Sequence, residues 1–245
     1  MKATKIYDEE HQWVVFGRDP EKPAKIIDTN QCLIVSKGKG LLLDPGGIEL
    51  FASMLASVLK FVTVENITDL FASHQDPDII SSLGLWDQVL PSSKLHSPWI
   101  WEGFIRHFGM NNIDYVPIQD EGGTLRVGGL DLQLIPAHYV HSSANFSVYD
   151  PVAKILFSGD IGAGLESNDV PMYVKNFDEH LKNITLFHQR WLPSNRAKNN
   201  WVKRVKNLEI DQLVPQHGRI YQGDDVPRFL DWLEALDVGL AIKDS

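Results

Sequence analysis

The chain opens with short apolar runs set between turn residues: HQWVVFG, then NQCLIV and LLLD on either side of KGKG. Runs of this length, rich in Val, Leu and Ile, predict strands, and KGKG predicts the turn of a hairpin. After Asp44-Pro45-Gly46-Gly47 the spacing changes. From about Ile48 to Val62, residues Phe51, Met54, Leu55, Val58 and Leu59 recur at helical intervals, and Ile67, Leu70 and Phe71 then lead into Ser73-His74. The predicted order is strand, helix, strand. SPWIWEGFIRHFGM predicts a second amphipathic helix with Pro98 near its start, and the stripe of Trp99, Trp101 and Phe104 predicts a core-facing side. GGTLRVGGLDLQLIPA predicts two strands about a Gly-Gly turn, and SANFSVYDPVAKILFSGD a hairpin about Asp150-Pro151. Helical patterns over about 176–191 and 195–207, a strand at QLVPQ and a helix after Pro227 complete the pattern.

The succession is a βα-type half, a β-rich middle and a helical stretch with one more strand, without repeats, low-complexity linkers or charge runs. It favours one domain over residues 1–245, of mixed α/β class, with two sheets and helices outside them. At 43% hydrophobic residues, with seven Trp and eleven Phe, the chain is able to build a sizeable core, which excludes a disordered or fibrous class. Its net charge of −9 argues against nucleic acid or an anionic membrane as the main partner. Cys32 is the lone cysteine, so an intrachain disulfide and the Cys-rich zinc and iron–sulfur sites are excluded, and any metal must use His and carboxylates. The start, MKATKIYDEEHQWVV, has no apolar signal-peptide core, and no run approaches the ~18 apolar residues of a membrane span. A cytoplasmic location is the expectation.

Four segments place His or Asp at the end of a strand-like run: LFASHQDPD, LQLIPAHYVHSS, ILFSGDIG and QLVPQHG. A strand end is rigid and the loop after it exposed, so side chains launched there can converge in one cleft. Taken singly, each is better read as turn chemistry; the coincidence of four is the signal. In His74-Gln75-Asp76-Pro77-Asp78 an extended backbone would put the His and both Asp on one side, a chelating geometry, and Pro77 excludes regular helix at Asp76. His141, three residues after His138, is a candidate for a hydrogen bond to a neighbouring ligand side chain, and Tyr139 and Tyr221 are candidate donors to a pocket. His11, His96, His107, His180 and His188 show no ligand spacing and are expected to be structural.

His74-x-Asp76-x-Asp78, His138, Asp160 and His217, at gaps of 64, 22 and 57 residues, resemble the binuclear ligand set of the metallo-β-lactamase fold, and Asp44-Pro-Gly-Gly resembles its turn after the early strands. The resemblance implies an αββα sandwich: two mixed sheets packed together with helices on the outer faces. Hydrolases of that superfamily read His-x-His-x-Asp-His in the first motif, whereas flavodiiron proteins carry His-x-Glu-x-Asp, and here the middle position is the carboxylate Asp76. Hard oxygen ligands suit iron better than an all-imidazole zinc set does. The run His138-Tyr-Val-His141-Ser-Ser-Ala-Asn-Phe, with PSNRA at 193–197, is similar to the stand-alone oxygen-binding di-iron relatives of flavodiiron proteins.

Carried over by position, the resemblance implies His74, Asp76 and His138 on a first metal, Asp78 and His217 on a second, and Asp160 bridging them, with His141 and Tyr139 in the reaction pocket. Three carboxylates, two divalent ions and one hydroxide sum to near neutrality, as a buried site requires. The implied cofactor is a pair of non-haem iron ions, with zinc or manganese as substitutes and no FMN in this chain. The implied function is binding of dioxygen or nitric oxide as a sensor or scavenger, or oxidoreductase chemistry fed by an external electron donor, with a signalling partner protein and a homodimer as further expectations. The alternative is a dizinc hydrolase acting on an ester, thioester or phosphodiester. Two features depart from the family pattern: Ile79 stands where many members have a further His ligand, and Asp76 is one methylene shorter than Glu.

Overall fold

The computed structural model describes residues 1–17, 26–167 and 169–242. The chain divides into two compact units, Met1–Pro20 with Thr29–Leu132 and Glu21–Asp28 with Gln133–Ser245. The first unit is built on a seven-stranded sheet: β1 (Lys2–Asp8), β2 (Gln12–Gly17), β3 (Gln31–Ser36), β4 (Lys39–Leu43), β5 (Ile67–Phe71), β6 (Lys94–Pro98) and β7 (Asp114–Ile118), hydrogen-bonded in chain order. β1 to β4 pair antiparallel and β4 to β7 parallel. Parallel pairs need crossovers, and these carry α1 (Phe51–Val58), α2 (Pro77–Ile80), α3 (Leu83–Val89) and α4 (Glu102–Ile105). β8 (Gly123–Val127) follows.

β2, β3 and β4 are buried along most of their length, which is why their sequences are continuous apolar runs rather than alternating ones. β3 and β4 meet in the two-residue turn Lys37-Gly38, so the hairpin expected at KGKG is present. β1, at the sheet edge, is half-buried and polar, and its sequence carried no apolar signal.

The single helix expected over SPWIWEGFIRHFGM does not form. LHSP is part of β6, and the chain then passes through a 3-10 turn at Trp99–Trp101, the four-residue α4 and another 3-10 turn at Arg106–Phe108. Pro98 ends a strand here instead of opening a helix, and Gly109, with φ 84°, closes the segment. The aromatic stripe therefore does not form a core-facing side: Trp101 is buried, but Trp99 and Phe104 are 49% and 62% exposed.

β9 (Leu130–Pro136) contains the division between the units, which falls after Leu132. With β10 (Phe146–Asp150), β11 (Ile155–Gly159), β12 (Gln212–Pro215) and β13 (Tyr221–Gln222) it gives a second mixed sheet, ordered β13-β12-β11-β10-β9-β8. β11 and β12 are parallel, and the connection between them carries α5 (Phe177–Trp191) and α6 (Asn195–Val205); α7 (Asp225–Ala235) follows β13. The β10–β11 turn falls at Asp150-Pro151 as the sequence predicts, because Asp150 Oδ1 accepts from the amides of Val152 and Ala153. Asn176 and Ser194 cap α5 and α6 by accepting from Glu179 N and Ala197 N. Trp201, Val202 and Val205 of α6 and Val226, Phe229, Leu230 and Leu233 of α7 form one core with Leu213 and Tyr221. Lys198, 1% exposed, donates to the carbonyls of Leu233 and Glu234 and so ends α7. No described helix is long and apolar enough to cross a membrane.

α5 also holds the turn after β11. His188 is fully buried; its Nδ1–H donates to Ile184 O at 2.7 Å and its Nε2 accepts from Gly162 N at 2.9 Å. Burial holds this imidazole neutral, with its pKa pushed down to about 4.

Two outcomes follow. Gly128, at φ 54°, sits where a Cβ would lie 2.0 Å from the Ser36 carbonyl oxygen, so Gly128→Ala should destabilise the fold by about 1–3 kcal/mol; a denaturation midpoint unchanged from wild type would contradict the turn geometry. Because the unfolded His188 titrates near 6.5 and the folded one near 4, its contribution is complete above pH 6.5 and is lost as pH falls toward 4, by roughly 3 kcal/mol in full. Urea denaturation at pH 7 and pH 4.5 should show His188→Gln, which keeps a donor and an acceptor but cannot titrate, losing clearly less stability than wild type. Equal losses would contradict the assignment.

Candidate metal centre

In the first unit β5 ends at Phe71, between its parallel neighbours β4 and β6, and hands the chain to Ser73 and His74. His74 is fully buried. Ser73 donates its one hydroxyl proton to Asp44 Oδ2 at 2.7 Å, so at 2.9 Å from His74 Nδ1 the same oxygen is the acceptor. The His74 proton is thereby on Nδ1 and the lone pair on Nε2, which lies 3.6 Å from Asp76 Oδ2. Asp76 is extended, φ −70° and ψ 144°, at the start of α2, with Pro77 at the first helical position.

The extended register stops there. Asp78 lies in the first turn of α2, so the expected row of three side chains on one side of an extended segment is cut to His74 and Asp76. Ile79 is fully buried, and its carbonyl accepts from Gly46 N.

In the second unit Asp160 follows β11 and is 4% exposed. His141 Nε2 lies 3.4 Å from its Oδ2 and His217 Nε2 lies 3.7 Å from its Oδ1. The Asp28 carbonyl accepts from His217 Nδ1–H at 2.9 Å, which again leaves the lone pair on Nε2. Of the two histidines in His138-Tyr-Val-His141, it is His141 that the structure sets against the Asp160 carboxylate; the His138 ring packs edge-on against Phe146 at 5.1 Å. The reason is local backbone. Tyr139 and His141 both have positive φ, 58° and 82°, and Tyr139 N bonds Ser142 O, so the loop folds back on itself and reverses the direction of successive side chains. Sequence spacing alone had no access to this turn, although His is among the residues that tolerate such φ. Tyr139 is 59% exposed.

Several residues expected to be structural hold this geometry. A Cβ on Gly218, φ 81°, would fall 2.8 Å from Gly164 N, so only glycine lets the chain after His217 approach the loop that follows Asp160. His188 accepts from Gly162 N, and Tyr221, a pocket candidate, is fully buried and donates to Gly162 O at 2.8 Å. His180 contacts the Tyr221 hydroxyl at 3.1 Å, and burial pushes its pKa down to about 4. Glu166 completes the brace by accepting from Arg219 and Asn183.

The donor chemistry fits a metal. As neutral imidazoles with Nδ1 protonated, His74 and His217 turn their Nε2 lone pairs toward Asp76 and Asp160, at 3.6 and 3.7 Å. That exceeds a hydrogen bond of ~2.7–3.2 Å and approaches the ~3–3.4 Å between two donors that each lie ~2.1 Å from one ion. Imidazole nitrogen with carboxylate oxygen is a set for zinc, iron or manganese, not for the soft thiolate-seeking metals.

A family model described as ODP family beta lactamase matches residues 27–218. The solved peroxy diiron species of the chemotaxis sensor ODP is 34% identical to this chain, covers 99% of it and 98% of its own length, and superposes with a TM-score of 0.87; the apo state of the same sensor from T. denticola gives 34%, 98%, 97% and 0.86. A flavo di-iron protein of Thermotoga maritima, at 19% identity and a TM-score of 0.79, covers 95% of this chain and 61% of its own, and shares the fold. An uncharacterized protein of Methanocaldococcus jannaschii is 23% identical over 209 residues, 83% of this chain, and the chain spans about half, 52%, of that relative's length. These likenesses bear out the α/β, metallo-β-lactamase-like fold class, and the chain belongs to the ODP family of beta lactamases.

Proposed function

We propose that this chain is a non-haem di-iron protein that binds dioxygen and acts as an oxygen sensor. The observation that carries the reading is Asp160, a buried carboxylate whose two oxygens each face a different imidazole nitrogen, as a carboxylate bridging two cations must. The 34% identical sensor, solved as a peroxy diiron species along 98% of its length, supports iron and dioxygen as the pair involved. The family match runs through both units, from residue 27 to 218, which supports treating them as one functional domain.

The ligand set under this reading is His74, Asp76, Asp78, His141, Asp160 and His217, with His141, which lies against Asp160, in the place that the resemblance gave to His138. Bound there, two iron ions supply the electrons that dioxygen accepts on binding. The protein's own part is static. Ser73 and the Asp28 carbonyl keep the Nε2 lone pairs of His74 and His217 available, and His188 of α5 braces the turn at Gly162, two residues after Asp160. The carboxylate at position 76, with two more at 78 and 160, favours iron over the all-imidazole zinc sets of hydrolases. Tyr139, mostly exposed, is given no chemical role. An external reductant and a partner that reads the oxygenated state complete the sensor.

Anaerobic loading with ferrous iron should give about two irons per chain and, on admitting air, a visible charge-transfer band lasting minutes; zinc uptake without iron uptake would contradict the reading. His141→Ala should lose most of the bound iron while His138→Ala retains it. The reverse order, measured by metal analysis after gel filtration, would restore His138 to the ligand set.

A further inference from the structure

The two candidate-ligand imidazoles whose Nδ1 proton the structure places, His74 and His217, are held by unlike groups. His217 Nδ1–H meets a neutral backbone carbonyl, that of Asp28. His74 Nδ1–H meets the Ser73 hydroxyl, which passes its own proton to the Asp44 carboxylate. Asp44 is fully buried and has φ 47°, in the left-handed region. Its Oδ1 accepts from Ser73 N and its Oδ2 from Ser73 Oγ, both at 2.7 Å, so both oxygens act as acceptors and the group is a carboxylate. The backbone makes this register rigid: Asp44 N donates to Phe71 O, Gly46 N to Ile79 O, and Ser82 Oγ to Gly46 O. The turn at 44–47 is thus bonded to the strand before His74 and to the helix after it.

We propose that Asp44 and Ser73 form an anionic relay that fixes the His74 proton on Nδ1 and strengthens Nε2 as a donor, making Asp44 and Ser73 positioning residues for His74. The relay stands on geometry inside the first unit; only the consequence for iron rests on the di-iron reading. A hydroxyl wedged between a carboxylate and an imidazole has one proton to give. It goes to the anion, so the imidazole must donate, and the negative charge behind the serine polarises the chain of hydrogen bonds toward Nε2.

Asp44→Asn inverts the relay by hydrogen-bond arithmetic. Asn tolerates the left-handed backbone and is nearly isosteric. Its amide has one acceptor and one donor side: with Oδ1 kept on Ser73 N, its NH2 meets Ser73 Oγ as a donor. The hydroxyl proton then turns to His74 Nδ1, and the imidazole proton moves to Nε2, the atom that must be bare to hold a metal.

The test is 15N histidine NMR on the metal-free chain, followed by ferrous titration. Wild type should show His74 protonated on Nδ1, Asp44→Asn should show it protonated on Nε2, and Ser73→Thr should match wild type. The His217 tautomer, held by a carbonyl, should not change in any variant and reports that the fold is intact. Ferrous affinity of Asp44→Asn should fall about 10- to 100-fold, with Ser73→Thr close to wild type. If Asp44→Asn does not fold, Ser73→Ala serves, and it should show both His74 tautomers. A wild-type His74 protonated on Nε2, or a His74 signal unmoved by Asp44→Asn or by Ser73→Ala, overturns the relay. A tautomer that moves while affinity does not overturns its link to the metal. A tautomer that moves as expected in a chain that takes up zinc but no iron leaves the relay standing and removes the di-iron reading alone.

Discussion

The constraint on which the rest depends is a buried carboxylate placed between imidazole nitrogens. Asp160 sits at the end of a buried strand, 4% exposed, with His141 and His217 addressing its two oxygens. Taking such a charge out of water costs several kcal/mol, and lone pairs turned toward it add repulsion. As a neutral imidazole His217 has one N–H, and it is committed to the Asp28 carbonyl. In the first unit the fully buried His74 imidazole likewise faces a carboxylate, that of the partly exposed Asp76. Acceptor facing acceptor, twice, is an arrangement stabilised by cations, and it explains why so much of the surrounding structure serves to hold side chains still.

That support has a recognisable form. Each candidate ligand is launched from the end of a strand or the tight loop after it, and each loop is anchored by hydrogen bonds rather than by apolar packing alone. In the second unit α5 supplies His188 and His180, whose neutral rings cap Gly162 and contact Tyr221, while Arg219 and Asn183 hold Glu166. In the first, the turn at Asp44 is tied to residues on both sides of His74. Three of the five positive-φ non-glycine positions among the described residues lie in these loops. Asp44, Tyr139 and His141 are non-glycine residues with positive φ, a conformation that persists only where neighbouring contacts over-determine it.

Much of this was legible in the sequence, because strands buried on both faces advertise themselves. WVVF, CLIV, LLL and ILF were readable as strands since each is apolar throughout, and the helices after Asn176 and Ser194 because their residues follow a helical pattern. β1 was not, since an edge strand half-open to water needs no apolar pattern. The segment 97–110 was misread because aromatic residues recur there at helical spacing and Pro98 reads as a helix opener, whereas in the structure it ends β6. At the site, His74, Asp76, Asp160 and His217 were visible as polar residues ending apolar runs. His138 was assigned to the metal and His141 to the pocket by resemblance alone, and what sets His141 against Asp160 is a loop with two positive φ angles that a sequence does not display. Likewise Asp78 enters a helix that four residues are too few to announce.

The most direct test of the account is anomalous X-ray scattering at the iron edge from crystals of the chain loaded with ferrous iron. The account predicts two iron peaks, each bonded to a different oxygen of Asp160, with His141 as a ligand and His138 outside bonding distance. A single peak, two peaks not bridged by Asp160, or iron bound by His138 with His141 turned away would contradict it.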